Sequence, residues 1–423
     1  MNRAACCSLG AAILLCSCTG DDESAGAGDG PTPTATYSGA LTTWFLDPGS
    51  AAARAAVQSA VDAFGSEHPG VTVRVEFVPW AEGRDRLTAA VAASEAPDLA
   101  QTSTAWTAEL AAEGILAPAA PADGVEYVAS LVDSGAVSGT SYGYPWFAQT
   151  QALIYRTDVL AQADVSAPAT WEEVFSVGDT IMAEVPDVAP MQVGGNHLDL
   201  QAPLLWAAGG DIATQAAGVW KSGVDSAAGR EAFSHFESVW KKGWSPRGAV
   251  EWTPDDVRTA FADGRSAMMI GGLADLRAVI AANPRLAGEI SSALLPAGPG
   301  GNRDAVVSGT HLVVLDSSAR QEAAAALARH LTTPEQSAPV ADAVEALPGT
   351  HEGIEMLAAD DAALTAFGEQ LVDHSRTYPA AVWWQEVVSA GAFEAATQRL
   401  MQGRITAHEA AARVDAAIRG AIG

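Results

Sequence analysis

The sequence predicts an α/β protein of about two domains, on three observations. Its 423 residues suffice for about two domains at roughly 100 to 200 residues each, and 48% are apolar, enough for two cores. From Ala40 onward strands and helices alternate, the pattern of an open, mostly parallel sheet whose ligands collect beyond the carboxyl ends of the strands. Finally, the stretch from Gly143 to Leu160, GYPWFAQTQALIYRTDVL, joins an extended passage to a short apolar run, Ala152-Leu153-Ile154-Tyr155, through a polar seam, Gln149-Thr150-Gln151. Pro145 keeps Tyr144 extended and cannot donate to a ladder, which suits an edge strand or a crossing. Polar side chains in mid-passage need partners; a hinge lining a wet cleft supplies them, as would a strand pair with those side chains in solvent.

The N-terminus reads as a signal. Asn2 and Arg3 give a short basic start, Ala4 to Leu15 a mostly apolar core, and polar Gly- and Pro-rich sequence follows. All four cysteines, Cys6, Cys7, Cys16 and Cys18, fall within it, which fits neither a disulfide framework nor a zinc site. Leu15-Cys16-Ser17-Cys18 resembles a bacterial lipobox, so cleavage before Cys18 and lipid on its sulfur are expected. Thr19 to Thr36 is low in apolar bulk and rich in Gly, Pro, Asp and Thr, a flexible tether. No later apolar run approaches the roughly 18 to 20 residues that span a bilayer, so the lipid is the expected anchor. A formal charge of -28 argues against nucleic acid and against electrostatic attachment to anionic lipid. Solubility accounts for it, and attraction of a cationic solute is the alternative.

Ala40 to Phe45 is a first strand, and Asp47-Pro48-Gly49-Ser50 opens a helix carrying Val57, Val61 and Phe64. Val71, Val73, Val75 and Phe77 alternate with Thr72, Arg74 and Glu76, the period of a strand. Trp80 follows and is expected as a core anchor, Leu87 and Val91 mark the next helix, and Ala96-Pro97-Asp98-Leu99 opens another strand. Trp106 to Glu113 is a helix closed by Gly114. Trp44, Asp47, Glu82 and Trp106 thus lie near strand ends, where a ligand would sit. Further on, Thr170-Trp171-Glu172-Glu173 fits a capping box, Thr253-Pro254-Asp255-Asp256 and Thr333-Pro334-Glu335-Gln336 are similar starts with proline at the first helical position, and Thr406 with Glu409 caps a final helix. No internal repeat is evident.

Tyr144-Pro145 followed by Ala152-Leu153-Ile154-Tyr155-Arg156-Thr157-Asp158 resembles the crossover segment of extracellular sugar-binding proteins of ABC importers, the maltose-binding-protein-like family. A common form there is Tyr-Asn-x-Asp; Arg156 stands in the Asn place. Similar matches follow in consistent order: Ala167-Pro168-Ala169-Thr170-Trp171; Gly194-Gly195-Asn196-His197; Leu205-Trp206-Ala207-Ala208-Gly209-Gly210-Asp211; and, most specific, Ala260 to Gly272, which fits F-x-x-G-x-x-A-M. Leu273 stands where many members carry a sugar-stacking tryptophan, and Trp252 is expected as a buried anchor. Leu294 to Gly301 resembles the loop before the return crossing, and Val306 to Val314 the returning strand.

The resemblance implies a two-lobed periplasmic-binding-protein-like fold. It implies a signal at 1–17, a tether at 18–36, a first lobe of 37–147 with 306–347, and a second of 148–305 with 348–423. It implies a ligand site of Trp44, Asp47, Glu82, Trp106, Trp146, Gln149, Asn196, His197, Trp206, Asp211, Gly272, His311 and Trp383. It further implies a lipid-anchored, extracytoplasmic monomer without cofactor or metal, which binds a di- or oligosaccharide and hands it to membrane permease subunits. Trp faces and neutral or acidic hydrogen-bonding groups suit the C–H faces and hydroxyl rim of a pyranose. No HExxH, P-loop or G-x-S-x-G is present, and no histidine pair has i, i+4 metal spacing. Two alternatives stay open: a receptor for a cationic or other non-sugar solute, and a lipid-anchored glycan hydrolase using paired carboxylates.

Overall fold

The computed structural model describes residues 37–359, 361–379 and 381–423; the expected signal, tether and Cys18 lie outside them. A first sheet has six strands in the order Leu347–Pro348, Tyr144–Gln149, Ser308–Val314, Leu99–Ser103, Gly39–Leu46 and Val71–Val78. Gly39–Leu46 runs parallel to both Val71–Val78 and Leu99–Ser103. The remaining pairs are antiparallel, so the sheet is mixed and not mostly parallel as expected. The cause is topological: Ser308–Val314 returns from the second lobe and enters the sheet from the opposite end. Helix Ala51–Glu67 starts where the Ser50 hydroxyl accepts from the Ala53 amide, and its buried face carries Val57, Val61 and Phe64 as the spacing requires.

The second sheet has four strands, in the order Ile290–Ala293, Gln151–Arg156, Ser266–Gly272 and Ala189–Met191. Ala152, Leu153 and Ile154 are fully buried in it. Of the expected caps, Thr406 with Glu409 and Thr253 with Asp256 form complete boxes. Thr170 accepts from the Glu173 amide, but the Glu173 carboxylate reaches one residue further back, to the Ala169 amide.

Three passages connect the sheets. Gln149 and Gln151 end and begin strands of different sheets with only Thr150 between them, and the Thr150 hydroxyl donates to the Val306 carbonyl (3.3 Å), tying the first passage to the second. In the third, the Gly349 amide donates to the Trp146 carbonyl at 2.9 Å. Both returning passages press a glycine on the Tyr144–Gln149 backbone. A Cβ at Gly309 would lie 2.4 Å from the Phe147 carbonyl oxygen, and one at Gly349 would lie 2.8 Å from the Pro145 carbonyl. Pro145 lies opposite the register shift at Thr310/His311, where a ladder donor is dispensable.

Candidate functional site

A cavity of about 540 Å³ opens where strands Gly39–Leu46, Leu99–Ser103 and Tyr144–Gln149 end and the antiparallel strand Ser308–Val314 begins. That is within the range of roughly 300–1,000 Å³ typical of small-molecule sites. On one side stands Trp80, 47% exposed, the first residue of helix Trp80–Ala92. Trp106 meets its ring edge-to-face, with centroids 6.2 Å apart. Gly83 lets the helix seat against the end of the first strand, since a Cβ there would lie 2.5 Å from the Leu46 side chain. Trp80 was expected in the core; at the first turn of a helix the preceding Pro79 instead turns it out over the cavity.

Polar groups line the same cavity. Gln101 accepts from the Leu46 amide through Oε1 at 2.9 Å, which leaves its Nε2 as a donor. Gln149 and Ser308 are cross-strand partners, both exposed, both lining the cavity. Thr310 also lines it, with its hydroxyl buried and unpartnered. Among the described residues Asp47 is the one carboxylate lining the cavity, and no Lys or Arg lines it. The Asp47 carboxylate is gripped by Arg54 Nε (2.9 Å) and Nη2 (2.7 Å) and accepts from the Gly49 amide (2.9 Å). The Arg54 hydrogen bond, before all else, holds its pKa below the usual carboxylate value.

Of the residues expected at the site, Asp47, Trp146 and Gln149 share this cavity and Trp106 backs it. Trp146 is buried, stacked on Phe147, with its indole N–H donated to the Leu331 carbonyl at 3.1 Å. Others stand apart. Trp44 lies beneath the Arg86 guanidinium, 4.5 Å from its ring centre, and Glu82 is exposed on the helix that Trp80 begins. His311 is 0% exposed: Nδ1 lies 2.9 Å from the Thr107 hydroxyl and Nε2 lies 2.9 Å from the Leu131 carbonyl, to which it donates. Burial pushes its pKa down to about 4. It supports the strand from beneath and does not reach the cavity.

The second lobe presents its own carboxyl-end face, where Ala189–Met191 leads toward helix Leu198–Ala207 and Ser266–Gly272 leads into helix Leu273–Ala282. Gly272 donates its amide to Asp275 at 2.9 Å and lies close to the Thr150 carbonyl of the first passage. His197 is buried with Nδ1 unpartnered; desolvation lowers its pKa against the opposing pull of Asp199 and Asp275. Gln151 and Gln192 each have a buried, unpartnered amide oxygen. Asn196 is occupied structurally, donating to the Glu251 carbonyl (3.0 Å) and accepting from Gln398 (2.5 Å). Asp211 pairs with Arg376 at 2.8 Å, and that guanidinium lies 5.0 Å from the ring centre of buried Trp206. Trp383 is buried between Trp220 and Trp384, beside the stacked pair Tyr378 and Trp384. The indole N–H groups of Trp206 and Trp383 lack partners.

The family of bacterial extracellular solute-binding proteins matches residues 48–338. The chain belongs to this family. A putative binding protein of Brucella abortus (strain 2308) is 25% identical over 371 residues, 84% of this chain and 88% of that protein. The diacetylchitobiose binding protein DasA of Streptomyces coelicolor is 26% identical over 325 residues, 74% of each chain. Among solved structures, the sugar-binding protein MalE from Xanthomonas citri superposes with a TM-score of 0.80 at 24% identity, covering 91% of this chain and 97% of that one, a likeness of fold. This solute-binding protein therefore has the two-lobed fold of its family. Among the described residues no helix is long and apolar enough to cross a membrane, and no group of three or more His, Cys, Asp or Glu could hold a metal ion.

Proposed function

We propose that this solute-binding protein captures an uncharged sugar in the cavity and delivers it to an ABC importer. One observation carries the proposal: an exposed, braced tryptophan shares a cavity with amide and hydroxyl groups, and the single carboxylate among the described lining residues is already neutralised by Arg54. An aromatic face matches the C–H face of a pyranose, and Gln101, Gln149 and Ser308 match its hydroxyls. An anionic ligand would find no lining cation, and a cationic one would have to displace Arg54. A hydrolase would need a second carboxylate roughly 5 to 9.5 Å from the first, and Asp47 stands alone among the described lining residues. The names of DasA and MalE point the same way.

In this proposal the lobes meet at Gln149–Thr150, Val306–Ser308 and Pro348–Thr350, and the second lobe closes with the face that carries Gln151, Gln192, His197 and Gly272. Its unpartnered acceptors then meet sugar hydroxyls, as buried polar groups require partners. Trp206 and Trp383 form the wall behind that face. The protein acts as a monomer held outside the cell by lipid on Cys18, so Cys18→Ala should move it to the soluble fraction; retention in membranes would sink that assignment. The function itself is tested by thermal shift against neutral sugars, sugar acids and polyamines. A neutral sugar at 100 times its dissociation constant should stabilise the fold by about 2.7 kcal/mol. Stabilisation by a charged class alone would overturn the proposal.

A further inference from the structure

Arg54 stands at the wrong end of its helix. It lies in the first turn of Ala51–Glu67, where the unbonded amides carry partial positive charge and a carboxylate, not a guanidinium, is the stabilising neighbour. No acidic residue of that turn offsets it. Departures of this kind from the local rule accompany function. What the guanidinium does there is grip Asp47, with Nε at 2.9 Å from one carboxylate oxygen and Nη2 at 2.7 Å from the other, the paired geometry of an arginine fork. Asp47 lines the cavity, as does Val57, one turn beyond Arg54 on the same helix; Arg54 is not itself among the described lining residues. Asp47 would keep its charge without Arg54, because it also accepts from the Gly49 amide at 2.9 Å and lies just before the positive end of the helix. The two side chains are 42% and 28% exposed, a setting in which an ion pair adds little to stability.

We infer that Arg54 determines the charge specificity of the cavity: by occupying the Asp47 carboxylate it selects uncharged sugars against amino sugars and other ammonium ligands. This rests on the sugar-binding reading and names what sets its selectivity. Arg54 acts through Asp47 and is therefore a positioning residue. An ammonium group entering beside Asp47 meets a carboxylate with both oxygens engaged, and the guanidinium repels it as a like charge, so the pair works against the wrong ligand more than for the right one. Without Arg54 the same cavity would hold an ionised carboxylate with no cation lining it, a setting that attracts an ammonium donor.

The test is titration calorimetry of the purified parent, of Arg54→Gln, and of the double variant Asp47→Asn with Arg54→Gln. The probes are D-glucose, D-glucosamine and putrescine, in slightly acidic buffer that keeps the amines protonated. The parent should prefer glucose, and Arg54→Gln should raise the glucosamine-to-glucose affinity ratio about five-fold, a gain that added salt reduces. The double variant should lose the gain. The urea midpoint of Arg54→Gln should move little, since the lost surface pair and the relieved helix end offset each other. A ratio unmoved by Arg54→Gln, or raised equally in the double variant, overturns the inference; with glucose still bound by the parent, the sugar-binding reading stands. A large fall in the midpoint with an unmoved ratio marks the pair as structural and overturns it too. Should neither sugar bind any of the three proteins, putrescine makes the same comparison, and its failure to bind Arg54→Gln overturns the inference. A parent that binds glucosamine or putrescine better than glucose contradicts both readings.

Discussion

His311 makes this fold sensitive to acid in a window set by its burial. The imidazole is fully enclosed, with Nε2–H donated to the Leu131 carbonyl and Nδ1 facing the Thr107 hydroxyl, and burial lowers its pKa from 6.5 to about 4. A histidine with a depressed folded pKa stays neutral in the native chain while the unfolded chain takes up a proton, so the unfolded state gains as pH falls below 6.5. The stability associated with the neutral ring is fully present above that value and is lost progressively down to about pH 4. At about 1.36 kcal/mol per pKa unit, the loss from His311 is on the order of 3 kcal/mol. The assay is urea unfolding of the parent and His311→Gln from pH 7 to pH 4. Carboxylates titrate in both proteins, so the difference isolates His311. The parent should lose about 3 kcal/mol more than the variant across the window. Parallel pH profiles would refute the claim that this ring is held neutral.

Trp80→Ala should weaken sugar binding by about 1 to 3 kcal/mol, roughly five- to 150-fold, through loss of the apolar face over the cavity, as read by calorimetry. An unchanged dissociation constant would remove Trp80 from the site. Gly309→Ala should destabilise the fold by about 1 to 3 kcal/mol in urea unfolding, because its Cβ would meet the Phe147 carbonyl oxygen at 2.4 Å and that backbone is part of the central ladder; a midpoint unshifted within error would contradict the close approach. A ligand that touches both lobes favours the closed form in proportion to its differential affinity for the two states. Small-angle scattering should therefore show a smaller radius of gyration with saturating sugar. No contraction, in a chain that is open when empty, would leave closure without support.

Local chemistry was legible in the sequence. The capping boxes at Thr253 and Thr406, the alternation of Val71–Val78 and the buried run after the polar seam depend on neighbours a few residues away, and the structure has them. Strand direction was not legible, because Ser308–Val314 takes its antiparallel place only after the chain has built and left a second lobe. The same holds for site residues. Asn196 looks free in sequence but bonds to Gln398, 202 residues on. His311, on the strand that lines the cavity, alternates to the other face and is enclosed by helix residues Thr107 and Leu131. Trp80 was hidden by an ambiguity of position: periodicity assigns no face to the first residue of a helix, although the rule that sites gather at strand carboxyl ends applies to it as to Asp47. The cavity lining combines Val57 with Val344 and Ala346, almost 290 residues later, and leaves no local signal.

The most direct measurement of the central claim is calorimetric titration of the purified protein with a panel of neutral mono-, di- and oligosaccharides, followed by chromatography of the sugar recovered from the cell. The account predicts saturable binding of one sugar per chain, abolished or weakened by Trp80→Ala, with the sugar recovered intact. Absence of saturable heat across the panel, or recovery of a cleaved sugar, would contradict it.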